Sequence, residues 1–209
     1  MKKVSMLCLA MLLIFSSTVV NFAQNEEKAI ESFYKENGLR IVSEVPEGVV
    51  PLKVESFDEL KDVTNSYKNV FTAQSNQNEI EFERIQITAP DLLLSKYDIL
   101  SSYPTYYYVH KATVYDLGIL GGKIVSEVGY WVVGSMPPVF TKDYHDVYKS
   151  GISYNCEVNY NEQSAIVSSD RSHIDVRVRG TIEVYVEFHG ELILQTYRFD
   201  KQYTIGYVS

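Results

Sequence analysis

The residues of this chain that could do chemistry lie in two short stretches. The first holds Asp143, His145 and Asp146, whose side chains can ligate metal ions. The second runs from Ser168 to His173 and contains the serine, aspartate and histidine of a hydrolase. We predict no metal site in the first, because two carboxylates and one histidine, without a second histidine nearby in sequence, are weak coordination evidence. We predict no triad in the second, because it lacks a G-x-S-x-G elbow and its residues are too close together in a turn.

The sequence contains no motif that predicts a cofactor. The glycine-rich stretch 118–122 lacks the Lys-Ser/Thr end of a phosphate-binding loop and does not open an evident helix. The 27 acidic residues allow many carboxylate pairs, so a glycosidase-type site stays open without any pair standing out. We therefore favour a protein without enzyme activity, and the alternative is a small secreted hydrolase. That alternative predicts a cleft in which two acids, or an acid and His145 or His110, converge.

Tyrosine is the one strong bias in the composition, with 17 residues of this type. Seven aromatic residues gather around one predicted hairpin: Tyr103, Tyr106, Tyr107, Tyr108, Tyr115, Tyr130 and Trp131. Three consecutive tyrosines on a strand must point to both faces, so we expect at least one outside or at the sheet edge. Exposed tyrosine and tryptophan bring a large contact area at little rotamer cost, which favours binding of a protein or carbohydrate partner.

Residues 134–151 are predicted to form a long loop that contributes to the same surface, because long loops in compact domains are often functional. The candidate binding surface comprises Tyr106, Tyr108, Trp131, Met136, Phe140, Tyr144 and His145. The opposing interpretation is that the tyrosines fill the core and that Phe140 and Tyr144 cap the end of the domain. An exposed aromatic patch in the structure would separate the two interpretations.

Residues 1–23 have the features of a bacterial secretory signal peptide, with Lys2 and Lys3 followed by an apolar run from Val4 to Phe15. This run is too short to be an evident membrane span, and we expect no transmembrane segment after its removal. Removal leaves 186 of the 209 residues, with 17 basic and 27 acidic side chains and a net charge of −10. The acidic balance argues against a nucleic-acid partner. We predict an exported protein, periplasmic or extracellular, whose remaining cysteine, Cys156, is a core thiol.

The longest regular pattern runs from Arg171 to Ser209 and predicts two strands that turn at His189-Gly190. The turn predicts that these residues face each other: Phe188 and Glu191, Val186 and Ile193, Ile182 and Tyr197, Gly180 and Phe199, Arg179 and Asp200, Val176 and Tyr203, Ile174 and Ile205. Gly180 is the expected bend point of the hairpin. Gln195 and Lys201 fall on the core face, where we predict rim positions for them.

The chain after the signal peptide is predicted to form one globular unit of two parts. Residues 24–78 form an α/β part that packs on the sheet, and residues 79–209 form an antiparallel β domain. In the first part we predict a helix at 26–37 and a second short helix that begins at a capping box, Ser56–Glu59. The polar stretch 67–78 is predicted to be a loop or linker.

Short extended segments are predicted at 39–45 and 49–55, and longer strands at 79–88, 106–117, 123–133 and 152–160. We expect a bulge in 79–88 and a return strand at 164–168 after a turn at Asn161-Glu162. These elements predict a mainly β (α+β) fold, an antiparallel β-sandwich or open barrel with two short N-terminal helices. The leading functional prediction is an exported β-domain that binds a partner through exposed aromatics. A structural subunit of an envelope assembly, marked by an unpaired strand edge, is a further alternative.

Overall fold

The computed structural model describes residues 26–75, 80–87, 105–134, 137–151 and 154–206, which are mainly β with two helices. The helices are α1 (residues 26–37) and α2 (Phe57–Ser75). The described strands are β1 (Arg40–Val42), β2 (Leu52–Val54), β3 (Glu81–Ile87), β4 (Thr105–Asp116), β5 (Lys123–Val133), β6 (Val139–Ser150), β7 (Cys156–Val167), β8 (His173–Phe188) and β9 (Glu191–Gly206). Neither helix is both long and apolar enough to cross a membrane. The predicted signal peptide lies outside the described residues.

The strands form two sheets. Sheet A has the order β1-β9-β8-β2, and β7 also pairs along β8. Sheet B has the order β3-β4-β5-β6. The pairs are antiparallel except for the short parallel pair between β2 and β8. The predicted mainly β, antiparallel character is confirmed, as are the extended segments that became β1 and β2, and the described strands do not close into a barrel.

Both sheets contribute to one apolar core. Sheet A supplies residues such as Ile174 and Ile182, and sheet B supplies residues such as Ile124 and Val128, all of them fully buried. Cys156 is also buried, so its predicted place in the core is confirmed.

The hairpin of β8 and β9 has the predicted register at all seven predicted pairs. His189 and Gly190 have φ angles of 50° and 81°, as a two-residue turn with a left-handed backbone requires. At Gly180, an added Cβ would lie 2.7 Å from Phe199 Cζ and would also clash with the backbone oxygen of Asn159. Close packing on both sides therefore explains this glycine.

The rim positions predicted for Gln195 and Lys201 are not both observed. Gln195 is buried, so its predicted rim position is wrong. Lys201 is half-buried, and its Nζ donates a hydrogen bond of 2.7 Å to the backbone oxygen of Gln74 in the last turn of α2. An ammonium group suits this place because the last carbonyl groups of a helix lack partners within the helix and carry partial negative charge.

The predicted capping box does begin helix α2. The N–H of Glu59 donates to Ser56 Oγ over 3.2 Å, and the N–H of Glu55 donates to Glu59 Oε2 over 2.9 Å. These bonds satisfy N–H groups that have no partner within a helix at its N-terminus.

Helix α2 is much longer than predicted, because it continues to Ser75 through most of the stretch expected to be a loop. Tyr67 and Phe71 are one turn apart and both are buried. Phe71 stacks on Tyr197 of β9 with ring centroids 4.0 Å apart. The solvent-facing side of this amphipathic helix carries polar residues of that stretch, namely Lys68, Asn69 and Thr72. Residues 76–78 of the predicted loop lie outside the described residues.

The predicted loop at 134–151 is wrong, because residues 139–150 form strand β6. Its pairing with β5 shifts by one residue between Gly129 and Tyr130, where Asp143 is the extra residue. Before the bulge the inward-facing positions of β6 have even numbers, such as Phe140, and after it they have odd numbers, such as Val147. This change hides the alternation of apolar and polar residues that marks a strand.

A bulge also accounts for the error in β7. The predicted turn at Asn161-Glu162 and return strand are wrong, because β7 runs straight through and pairs with β8 from Cys156 to Val167. Its register shifts between Tyr160 and Glu162. Conversely, the bulge predicted in residues 79–88 is wrong, since β3 pairs with β4 in continuous register.

Candidate binding surfaces

Sheet B carries aromatic residues on both faces, and its inner face holds a row of four. Tyr106 and Tyr108 have ring centroids 6.4 Å apart, Tyr108 stacks on Tyr130 at 5.8 Å, and Tyr130 stacks on Phe140 at 5.7 Å. Tyr106 is 41% exposed, whereas Phe140 is only 2% exposed. Arg84 of β3 lies over the ring of Tyr108 at 5.9 Å, a cation–π distance. The Tyr106 end of the row is therefore its exposed end.

The outer face of sheet B holds a second group, centred on Glu127 of β5. The hydroxyl groups of Tyr144 and Tyr148 donate to its two carboxylate oxygens over 2.5 and 3.2 Å. Lys111 Nζ lies 3.0 Å from Glu127 Oε2. Burial opposes the ionisation of Glu127, but these three contacts hold its pKa below the ordinary value. Both carboxylate oxygens thus have partners within the protein.

Tyr107 and Trp131 extend the outer group, with ring centroids 4.7 Å apart. The Tyr107 hydroxyl donates to Asp143 Oδ2 over 3.1 Å. Burial and then this hydrogen bond raise the pKa of Tyr107 to about 12. Gly129 makes the arrangement possible, because a Cβ at this position would overlap the side chains of Tyr144 and Tyr107.

The structure divides the predicted binding surface between the two faces of sheet B. Tyr106, Tyr108, Phe140 and His145 lie on the inner face, Trp131 and Tyr144 lie on the outer face, and Met136 is outside the described residues. Trp131 and Phe140 are only 6% and 2% exposed, so the expectation that they present an open surface is wrong. The physical reason is that both sit within β-strands, where Trp131 packs against Tyr107 and Phe140 packs against Tyr130.

His145 takes part in a polar chain that links the two sheets. The Tyr203 hydroxyl of β9 donates to Ser126 Oγ over 2.9 Å, and Ser126 Oγ lies 2.9 Å from His145 Nε2. Ser126 is fully buried, so its hydroxyl group is closed to a substrate. Burial, followed by the charge of Lys142, lowers the pKa of His145. We interpret the chain as a satisfied polar network of the core.

The contribution of this chain to stability can be measured with two tyrosines of β9. Tyr203→Phe removes the donor to Ser126 and should lower the free energy of unfolding by about 1 kcal/mol. The matched control is Tyr197→Phe, since the buried Tyr197 hydroxyl has no hydrogen-bond partner among the described residues. We expect the control to be neutral or slightly stabilising in urea denaturation. Equal losses for both variants would contradict a role for the chain.

His110 is the second histidine that sequence analysis considered, and it is buried within an aromatic cluster. It is 5% exposed, and its ring lies 5.0 Å from that of Phe82 and 5.9 Å from that of Tyr203. Neither ring nitrogen has a hydrogen-bond partner among the described residues. Burial, and then the nearby charge of Arg84, lowers its pKa to about 4. His110 is therefore neutral at pH 7.

The stretch from Ser168 to His173 forms the turn between β7 and β8. The hydroxyl groups of Ser168 and Ser172 donate to Asp170 Oδ1 over 2.7 and 2.9 Å. The bond from Ser168, followed by bonds from Ser172, lowers the pKa of Asp170 to about 2. The Ser172 hydroxyl also lies 2.8 Å from His173 Nδ1. The side chains of Ser168 and Asp170 also accept hydrogen bonds from the N–H groups of Ser172 and His173, so these polar groups fix the backbone of the turn.

The described residues contain no group of three histidine, cysteine or acidic side chains that could hold a metal ion. A groove of about 450 Å³ at the end of α1 brings Glu191 and His189 together with glutamates of the helix. His189, however, is the turn residue of the β8–β9 hairpin, and its ring stacks on Phe188 at 4.0 Å.

Strands β3 and β6 are the two edges of sheet B, and all seven residues of β3 are exposed. Strand β3 pairs with β4, and no other described strand pairs with it. Of the nine large hydrophobic residues exposed in the described chain, Phe82, Ile85 and Ile87 lie on β3, and Tyr106 lies on the neighbouring strand. The sequence predicted this strand but not its exposed apolar surface. The signal available in the sequence was that apolar residues occupy both even and odd positions of β3, namely Phe82, Ile85 and Ile87. Such a pattern fits an edge strand with two exposed faces.

Comparison of the chain with protein-family models, with curated proteins and with solved structures finds no match.

Proposed function

We propose that this chain is an exported β-domain that binds a protein partner by addition of a strand at β3. The observation that carries the proposal is the fully exposed edge strand with three large apolar side chains. Long apolar edges are usually shortened, charged or covered, because they invite pairing with another chain. An edge that stays open in this way suits a partner that supplies the missing strand.

In this proposal, sheets A and B pack face to face as a β-sandwich, and β3 lies at its open side. Two contacts between β3 and β9 support the arrangement. The rings of Phe82 and Tyr203 lie 5.7 Å apart, and Arg84 Nη2 donates to the backbone oxygen of Gly206 over 3.2 Å. These contacts hold the inner face of β3 against sheet A, and on the edge away from β4 no described strand pairs with β3.

An added strand would gain affinity from two sources. Its backbone would pair with the free N–H and C=O groups of β3, which alternate along a strand edge. Its side chains would then contact Ile85 and Ile87 on the outer face of the sheet and Phe82 on the inner face. Tyr106 would add an exposed aromatic contact at one end. This retains the predicted use of exposed aromatics and moves the centre of the surface to β3.

A protein partner is favoured over a carbohydrate because three tyrosine hydroxyl groups on the outer face of sheet B already donate hydrogen bonds within the protein. Sugars are recognised by aromatic platforms combined with several free hydrogen-bonding groups. On the outer face of sheet B, the hydroxyl groups of Tyr107, Tyr144 and Tyr148 already donate to Asp143 and Glu127. The β3 edge instead offers backbone groups and apolar side chains, which another polypeptide complements.

The hydrolase and the envelope subunit are the alternatives. The hydrolase was predicted to have a cleft in which two acids, or an acid and His145 or His110, converge. Burial of His110 and the bonding of His145 to buried Ser126 speak against the forms of this cleft that use a histidine. The envelope subunit would use the same β3 edge, with a strand supplied permanently by another subunit. It differs from reversible partner binding in that the isolated chain would self-associate or remain poorly soluble.

The test uses the folded protein without its predicted signal peptide as bait. Peptides that bind it are selected from a displayed random library. The selected peptides are then measured against the double variant I85K/I87K, whose lysines disfavour pairing at an edge. We expect affinity to fall by about tenfold or more, since two apolar contacts are replaced by charges. The matched control is Ile166→Lys on β7, which adds a lysine at another exposed apolar strand position.

Two results would contradict the proposal. One is a set of peptides that bind the β3 double variant and the Ile166→Lys control equally well. The other is a selection that yields no binder at all, because an open edge of this length should capture extended peptides. We expect each variant to keep the circular dichroism spectrum of the unchanged protein, because the substituted positions are exposed.

A further inference from the structure

A groove of about 670 Å³ opens between α2 and the edge of sheet A. Its apolar lining includes Val50 and Leu52, Val63 of α2, and Leu120. A site of this volume with mostly apolar walls and a few polar groups is typical of small-molecule binding. Strand β3 is not part of this groove, so the inference below does not depend on strand addition.

The apolar walls of the groove are exposed although they are held in place. Val50 and Tyr154 are 61% and 65% exposed, which leaves much apolar surface in water. The N–H of Val50 donates to the backbone oxygen of Tyr154 over 2.7 Å, and Asn155 Nδ2 donates to the Tyr67 hydroxyl over 2.8 Å. Fixed apolar walls lower the entropy that a ligand would lose on binding, because the site does not have to be ordered.

The polar side of the groove is formed by α2. Asp62 and Ser66 are one helical turn apart and therefore lie on the same side of the helix. Asp62 is the only charged residue among those that line the groove, and its carboxylate forms no ion pair with a described residue. The neighbouring Lys61 pairs with Asp58 instead. A single negative charge beside apolar walls is complementary to a cation attached to an apolar body.

We propose that this groove binds a small amphipathic molecule with an apolar body and one ammonium group. The apolar body would cover Val50, Leu52 and Tyr154, and the ammonium group would lie at the carboxylate of Asp62. Burial of the exposed apolar walls supplies most of the binding free energy, which grows in proportion to the apolar area removed from water. The carboxylate supplies the preference for a cation over a neutral or negative head group.

The test uses three probes that share one apolar chain and differ only in the head group: octylammonium, octanol and octanoate. Each is titrated into the folded, isotope-labelled protein at pH 7, and binding is followed by chemical-shift changes. We expect octylammonium to bind most tightly and octanoate most weakly. Butylammonium should bind at least about tenfold more weakly than octylammonium, since four methylene groups fewer can be buried.

Three exposed variants locate the site. Asp62→Asn should weaken octylammonium by about two- to fivefold, as expected for an exposed ion pair, and should leave octanol unchanged. Val50→Ser should weaken both probes, and the matched control Ile166→Ser, which is equally exposed but distant on β7, should weaken neither. The inference is overturned by the absence of saturable binding, by a cation preference that survives Asp62→Asn, or by equal effects of Val50→Ser and Ile166→Ser.

Discussion

Replacing Phe140 by alanine is expected to lower the free energy of unfolding by about 3 to 5 kcal/mol. Phe140 is 2% exposed and stacks on Tyr130 at 5.7 Å, so the change leaves a cavity inside the inner aromatic row. The measurement is urea denaturation followed by circular dichroism. This is the largest single-residue effect that we predict.

The matched control for Phe140 is the residue at the other end of the same row. Tyr106→Ala removes an aromatic ring that is 41% exposed, so it should cost well under half as much. A loss below about 1 kcal/mol for Phe140→Ala would show that this side chain is not a core residue. Such a result would restore it to the binding surface that the sequence suggested.

Stability is expected to fall as the pH decreases from 7 to 5, and His110 is expected to cause up to about 2 kcal/mol of this loss. In the folded protein the pKa of His110 is lowered from 6.5 to about 4, by burial and then by Arg84. Below pH 6.5 the unfolded chain therefore binds a proton that the folded protein rejects. Protonation favours the unfolded state until the pH reaches about 4, where the folded protein also takes up the proton.

The variant His110→Phe should remove this part of the pH dependence. The quantity to compare is the change in free energy of unfolding between pH 7 and pH 5, because a packing cost of phenylalanine cancels in that difference. Phe82→Leu is the control, since Phe82 contacts the His110 ring but does not titrate. It should lower stability by similar amounts at both pH values. An unchanged pH dependence in His110→Phe would contradict the buried, neutral state of this histidine.

The sequence was most informative where a strict alternation ran without interruption. The β8–β9 hairpin could be predicted with its register, because the two-residue turn and the alternation agree with each other. Strand β6 could not be predicted, because the bulge at Asp143 shifts its apolar residues from one phase to the other. The same cause turned one continuous strand, β7, into a predicted pair of short strands.

The candidate surfaces were harder to predict than the strands. Sequence alone shows that aromatic residues are concentrated near Tyr106 to Tyr108, but not which face of the sheet is covered. Burial of Trp131 depends on contacts across the sheet with Tyr107, and burial of Phe140 depends on Tyr130. The open edge of β3 follows from strand order, which sequence patterns do not contain.

Hydrogen–deuterium exchange on the free protein and on its complex with a selected peptide tests strand addition at β3 most directly. Alternate N–H groups of a strand point to the same side, so those of β3 that point away from β4 gain a partner only when a strand is added. We predict that exchange slows at alternate residues of 81–87 in the complex, while α2 and β1 are unchanged. Exchange rates in β3 that do not differ between the free and bound protein would contradict the proposed function.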